Sequence, residues 1–196
     1  MASLTEQLTE QLSGAGLSQI GKAIGADEAA TGSLLATIGP LLTSALAKNA
    51  STPDGAQALA NALSKDHDGS ILDDVGGYLG KPEAADGAGI LGHILGGKQA
   101  PIEQGLAKSS GLSAAQVAQL MQVVAPLLMG LLGKKQRAKA LDPNGLSAYL
   151  GGKRQVEEQQ RPDMMKVLAG MLDAGKGGGS SMDDIMGMAG KLFGRR

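Results

Sequence analysis

Apolar residues recur along this chain at steps of three and four, the period of one face of an α-helix. Leu34, Ile38, Leu41, Leu42 and Ala45 form one such stripe, and Val117, Leu120, Met121, Val124, Leu128 and Leu131 form another. They predict long helices over 27–48 and 113–133. Alternation at period two is missing and Val, Ile and Thr are sparse, so no strand is expected. The fold class is all-α. A third apolar stretch, "GAGILGHILGG" at 87–97, predicts a helix from Ala88 to Leu95. A fourth lies at 182–196, where Met182, Ile185, Met186, Ala189, Leu192 and Phe193 share one stripe.

The two long stripes resemble each other. With residues 20–46 set on 106–132, an offset of 86, eight of 27 positions are identical, among them the triplets Pro40-Leu41-Leu42 and Pro126-Leu127-Leu128. Proline inside a helix removes a backbone hydrogen bond and bends the axis, so matched bends are expected at Pro40 and Pro126. "GSILDDVGGYLG" at 69–80 likewise resembles "GSSMDDIMGMAG" at 179–190. The organisation read from these copies is two tandem related multi-helix units, 1–80 and 81–152, with a C-terminal amphipathic helical tail at 182–196. Residues 153–181, with "KRQVEEQQRPD" and the glycine run "GKGGGSS", read as a linker with a helix and a Gly-rich hinge.

Composition sharpens the picture. Two Tyr, one Phe and no Trp leave a core of small and medium aliphatics, and 31 Gly exceed the usual share of about 7%. Net charge is −1, which gives no bulk attraction to nucleic acid or membrane. The charge is uneven: −7 over 1–97 (four Lys/Arg, eleven Asp/Glu), +5 over 98–161 (nine, four) and +1 over 162–196 (five, four). An acidic half and a basic middle suit head-to-tail self-association, although exposed charges are commonly just solvated. There is no Cys, which excludes disulfides, thiol nucleophiles and thiolate metal sites. No signal-peptide core is present, and the longest apolar run, 123–132, is too short to span a bilayer of about 30 Å. A soluble, cytoplasmic protein is expected.

Gly87, Gly89 and Gly92 spell G-x-G-x-x-G. A dinucleotide site needs a strand before this motif and an acidic ribose partner about 20 residues on. A Pro82 loop precedes it and "AKSSGLSAAQ" follows at that distance, so no cofactor is expected. The glycines read instead as packing positions. Gly92 and Gly96 are four apart and share a face, which lets another backbone approach closely. Gly89, Ile90, Ile94 and Leu95 complete this helix-packing or interface set.

Candidate chemistry is thin. In "DHDGSILDD" the carboxylates Asp66 and Asp68 are weak calcium candidates, because the register that puts Gly69 at loop position 6 puts Val75 at position 12, where a bidentate acid belongs. Helix capping by Ser70, with Asp73 three residues on, is the favoured reading. His67 and His93 lack partners for a metal site of three or four ligands. Two His, no thiol and no strand-turn-helix serine elbow argue against an enzyme. Lys134, Lys135, Arg137 and Lys139, with Lys153 and Arg154 nearby, are the candidate nucleic-acid contacts. The scarcity of aromatics for base stacking weighs against that use, and the favoured reading is a solvated loop after the second long helix. The Met-rich tail stripe suits a partner groove, on this protein or another, since methionines adapt to irregular surfaces.

The two "PLL" helices, "DGSILDDVGGYLG", "GILGHILGG" and "GSSMDDIMGMAGKLFG" together resemble the YidB-like family of bacterial proteins, domain of unknown function 937. The resemblance spans roughly residues 20–150 and again 178–194. It implies an all-helical fold and carries over no activity, cofactor or catalytic residue. The chain departs from it where "GKGG" replaces acidic residues before "GSSMDD". The expected function is non-enzymatic self-association or scaffolding through small-residue helix faces. The partners are then the chain itself and another protein at the C-terminal helix, with a DNA-associated protein using 134–154 as the alternative.

Overall fold

The computed structural model describes residues 3–12 and 15–173. Among them every regular element is helical: α1 (Leu4–Gln11), α2 (Ala15–Ile24), α3 (Glu28–Asn49), α4 (Pro53–Lys65), α5 (Val75–Gly80), α6 (Gly87–Leu95), α7 (Gln99–Ser110), α8 (Ala114–Ala138), α9 (Pro143–Gln160) and α10 (Pro162–Asp173), with short 3₁₀ turns at Ser70–Leu72, Pro82–Ala85 and Gly96–Lys98. The long helices α3 and α8 pack on each other at the centre. α1 and α9 lie on α3, α6 and α7 lie on α8, α4 bridges α8 and α9, and α10 closes over α3, α7 and α9. The buried aliphatics of all these elements form one cluster running from Leu4 to Leu172.

The entries to α3 and α8 are built alike. Gly25 (φ +68°) and Gly111 (φ +75°) turn the chain through the left-handed region after α2 and α7, a conformation glycine adopts without steric cost. Two residues on, Asp27 and Ser113 accept from the amides of Ala30 and Gln116 at 2.7 and 3.2 Å and so cap the helices. Gln116 completes a capping box with Ser113. The same side chain donates to the Gly25 carbonyl at 2.8 Å, tying one turn to the other.

Both long helices run through a proline, and the acceptor that each proline frees is met differently. Proline has no N–H, so the carbonyl four residues earlier loses its partner. For Pro40 that carbonyl is on Ala36, and the Arg161 guanidinium donates to it at 2.9 Å. For Pro126 it is on Gln122, where the α6 backbone presses in so closely that a Cβ on Gly87 would sit 1.9 Å from the oxygen.

Three expectations need correction. Residues 153–173 are not a linker. α9 continues to Gln160, and α10 buries Met164, Met165, Val167, Leu168, Met171 and Leu172. The pattern hid this because the buried stripe of α9 turns polar halfway, from Leu146 and Leu150 to Lys153 and Glu157. Glu157 is only 1% exposed and accepts from Thr5 Oγ1 at 2.8 Å. Residues 134–138 are helix rather than loop. Lys, Gln, Arg and Ala are all good helix formers, and positive charge suits a helix C-terminus. Finally, α3 and α8 are each long and apolar enough to cross a bilayer, which a count of consecutive apolar residues misses, yet 72% of each such window is buried inside the fold. They serve here as core. The Gly-rich run 175–181 and the tail 182–196 lie outside the described residues.

Candidate functional site

α6 sets the site. Asp86 precedes it in the left-handed region (φ 45°), and its carboxylate accepts from the Gly89 amide at 3.1 Å. The anion position at this helix N-terminus is thus filled by the protein's own side chain. With a 3₁₀ turn before it rather than a strand, the G-x-G-x-x-G run is a capped helix start and not a phosphate loop. Gly87, Leu91, Ile94 and Leu95 are the buried face of α6, which packs on α8.

Among the described residues, the close contacts at glycine are made elsewhere than at Gly92 and Gly96. A Cβ at Gly92 or at Gly96 would meet nothing within 4 Å, so no helix among the described residues lies against them. Gly96 is instead the α6 C-cap at φ 56°. Close approach is made by Gly87 on Gln122 and by Gly133, where a Cβ would stand 1.7 Å from the His67 carbonyl. A glycine pair four apart reports only a bare helix face. Whether that face meets anything depends on which side of the helix turns to the core, and here Leu91, Ile94 and Leu95 turn it the other way.

Between α4 and α6 runs a groove floored by α8. Its apolar half, about 550 Å³, is lined by Leu46, Ala58, Leu59, Ile90, Ile94 and Met129. Its other half, about 800 Å³, has Asp66, Asp68, Asp74 and Asp86 in its walls and no Lys or Arg. The halves share Ala62, His67, Ile90 and His93. Of the predicted interface residues, the fold therefore brings Gly89, Ile90 and Ile94 to the groove and places Leu95 in the core. Asn49, Ala58, Tyr78 and Met129 were not anticipated. At the apolar end Asn49 donates to the carbonyls of His93 and Ile94, at 3.4 and 3.0 Å, holding the last turn of α6 to the end of α3. At the acidic end the Tyr78 hydroxyl donates to the Val123 carbonyl at 2.9 Å, and burial holds its pKa well above the usual phenol value.

The acidic segment is a structured turn. Asp68 accepts from the Ser70 amide at 2.9 Å and lies 3.6 Å from Arg137. These hydrogen bonds, from the Ser70 backbone first and its side chain second, hold the Asp68 carboxyl below its usual pKa. The expected Ser70 cap is not what forms. α5 begins at Val75 and is capped by Asp74, which accepts from Gly77 at 2.8 Å, because Ser70 starts a separate 3₁₀ turn. Among the described residues no group of three or more His, Asp or Glu side chains is placed to hold a metal ion, and the calcium candidates Asp66 and Asp68 fall in no such group. Half-burial lowers the pKa of His67, against the opposing pull of Asp66.

The basic residues split into two sets: Lys134, Arg137 and Arg154 face carboxylates, whereas Lys135, Lys139 and Lys153 gather near Tyr149. Lys134 faces Asp73 at 3.9 Å, and Arg154 pairs with Glu158 at 3.4 Å within α9. Lys139 and Lys153 lie on the Tyr149 ring, each 5.4 Å from its centroid. Lys153 is 9% exposed, and desolvation, followed by repulsion from Lys135 and Lys139, lowers its pKa. Met182, Ile185, Met186, Leu192 and Phe193 lie outside the described residues.

The fold and site define an all-α protein with a surface groove, acidic at one end and apolar at the other. The chain belongs to the family of bacterial proteins of unknown function DUF937, which matches residues 6–135. That span takes in both walls and the floor of the groove and stops before α9 and α10. No curated protein and no solved structure matches the chain.

Proposed function

We propose that this protein is a non-enzymatic scaffold that receives an amphipathic helical segment in the groove between α4 and α6, and through it associates with copies of itself or with another protein. The observation that carries this reading is the groove's chemistry. An apolar trough of about 550 Å³, continued by a wall with four carboxylates, suits the apolar stripe and basic end of a helix. The two-unit organisation is part of the proposal. It is supported by the matched turns at Gly25 and Gly111 and the matched caps at Asp27 and Ser113. DNA association through 134–154 has less behind it, since Lys134, Arg137 and Arg154 face carboxylates and Lys153 is buried.

The test is mass by light scattering over a range of concentrations for the full chain and for Ile90→Asp. Ile90 is half-buried and lines both parts of the groove. The expected result is that Ile90→Asp stays folded and loses at least tenfold in association. A variant that associates like the parent overturns the reading. Duplex DNA at low salt is the second arm. A mass increase with DNA that Lys134→Glu and Lys135→Glu abolish favours the alternative.

A further inference from the structure

We propose that the groove's resident ligand is the chain's own segment 182–196, seated in cis, so that an incoming helix must displace it. This rests on the reading of the groove as a helix receptor and names its first occupant.

Three observations point to that segment. The first is where the described chain stops. Asp173, the last residue of α10, pairs with Lys48, and Lys98 donates to the Leu172 carbonyl. Lys48 adjoins Asn49, which lines the apolar end of the groove. The chain thus leaves α10 beside the groove mouth. The second is reach. Eight residues, 174–181, separate this point from Met182. A glycine-rich linker of that length has a root-mean-square span of about 15 Å and a limit of about 27 Å. Such a short tether gives an effective concentration on the order of millimolar, which favours its own groove over that of a second molecule.

The third is charge and pattern. Met182, Ile185, Met186, Leu192 and Phe193 repeat at helical steps, and Lys191, Arg195 and Arg196 cluster at the far end. Entering at Asn49, the segment sets its first methionines against Ala58 and Leu59. Its basic end then reaches Asp66, Asp74 and Asp86, in a wall with no Lys or Arg, beside Asp68, which already lies 3.6 Å from Arg137. The reverse orientation would bring Asp183 and Asp184 to the carboxylates. Methionine suits such a seat because its flexible thioether fills irregular troughs.

The chain has no cysteine, so a pair of introduced ones reports on this contact alone. Full-length Ala58→Cys/Met186→Cys is oxidised beside Ala58→Cys/Phe193→Cys, with products separated by mass. Ala58 is exposed, so its replacement leaves the core intact. The expected result is an intramolecular disulfide forming at least tenfold faster in the 58/186 pair. Arg195→Glu should slow it severalfold, Asp66→Lys in the same chain should restore it, and high salt should weaken that dependence. Equal rates for the two pairs overturn the seated orientation. Cross-linked dimers without the intramolecular product overturn seating in cis. Cross-linking as expected while Ile90→Asp leaves association unchanged sinks the scaffold reading and keeps this one. Absent cross-linking while Ile90→Asp abolishes association does the reverse.

Discussion

α3 and α8 are close in sequence and are treated differently by the fold. At the offset of 86, Gly39 of α3 aligns with Ala125, whereas Ser44 and Ala47 align with Gly130 and Gly133 of α8. Each glycine stands where a neighbour comes in. A Cβ on Gly39 would lie 2.5 Å from Thr5 Oγ1, and one on Gly130 would lie 2.4 Å from Ile71. Gly133 carries the backbone of the His67 turn, which forms one end of the groove. Both central helices carry Pro-Leu-Leu. The unshared glycines decide that α1 docks on one of them and the acidic turn on the other. The freed carbonyls differ too: Ala36 accepts from Arg161, whereas the Gly87 backbone packs close against that of Gln122.

Gly133→Ala is the hardest way to break this comparison. Its Cβ meets backbone that cannot rotate away, so the loss should be about 3 kcal/mol, the upper part of the overpacking range. The aligned change Ala47→Gly should cost only about 0.5–1 kcal/mol of helix propensity. Urea unfolding of the pair checks this, and equal losses would mean that the two helices are interchangeable. Gly39→Ala comes next, at about 1–2 kcal/mol. Its obstacle is one short side chain, but that hydroxyl also serves buried Glu157, so Thr5 cannot swing aside freely. Arg161→Ala should cost about 0.5–1.5 kcal/mol, the net worth of one hydrogen bond. In a Pro40→Ala background the new N–H satisfies Ala36 and the cost of losing Arg161 should vanish. A cycle with no coupling would show that the guanidinium does not answer the proline.

Gly92→Ala should be a gain of up to about 1 kcal/mol, because the helix gains propensity and the new Cβ meets nothing. Gly87→Ala, in the same helix, should lose stability by overpacking against Gln122. A thermal melt of both separates an open face from a packed one. The smallest effect is with pH. Burial puts the pKa of His67 below its unfolded value of 6.5. The unfolded chain binds more protons in that window, so stability falls as pH drops from 6.5 toward the folded pKa. Asp68, also lowered, contributes above its unfolded value of 3.8 and loses that contribution as pH falls through its folded pKa, so the two windows stay apart. His67→Asn should flatten the upper window in unfolding curves taken at several pH values, and an unchanged slope there would count against a desolvated His67.

The central helices were legible over 28–48 and 114–133 because their stripes are long and apolar, whereas the polar last turn of α8, 134–138, was not. α9 as one helix was not legible, since its apolar stripe is only Leu146 and Leu150 and a buried Lys153 and Glu157 look like surface in any pattern. The α6 half of the groove was partly legible through Gly89, Ile90 and Ile94. The α4 half was not. Ala58 and Ala62 are unremarkable helix formers until α6 lies across from them.

The sequence by itself determined the helical class, the two central helices and the turns before them, because periodicity, capping and left-handed glycine act within a few residues. Tertiary structure alone decided which glycines touch backbone, which carbonyl Arg161 reaches, and that Asp86 shares one wall with Asp66, Asp68 and Asp74. Those facts depend on which face of each helix turns inward. That is set by burying the whole apolar cluster at once, and no single segment carries it.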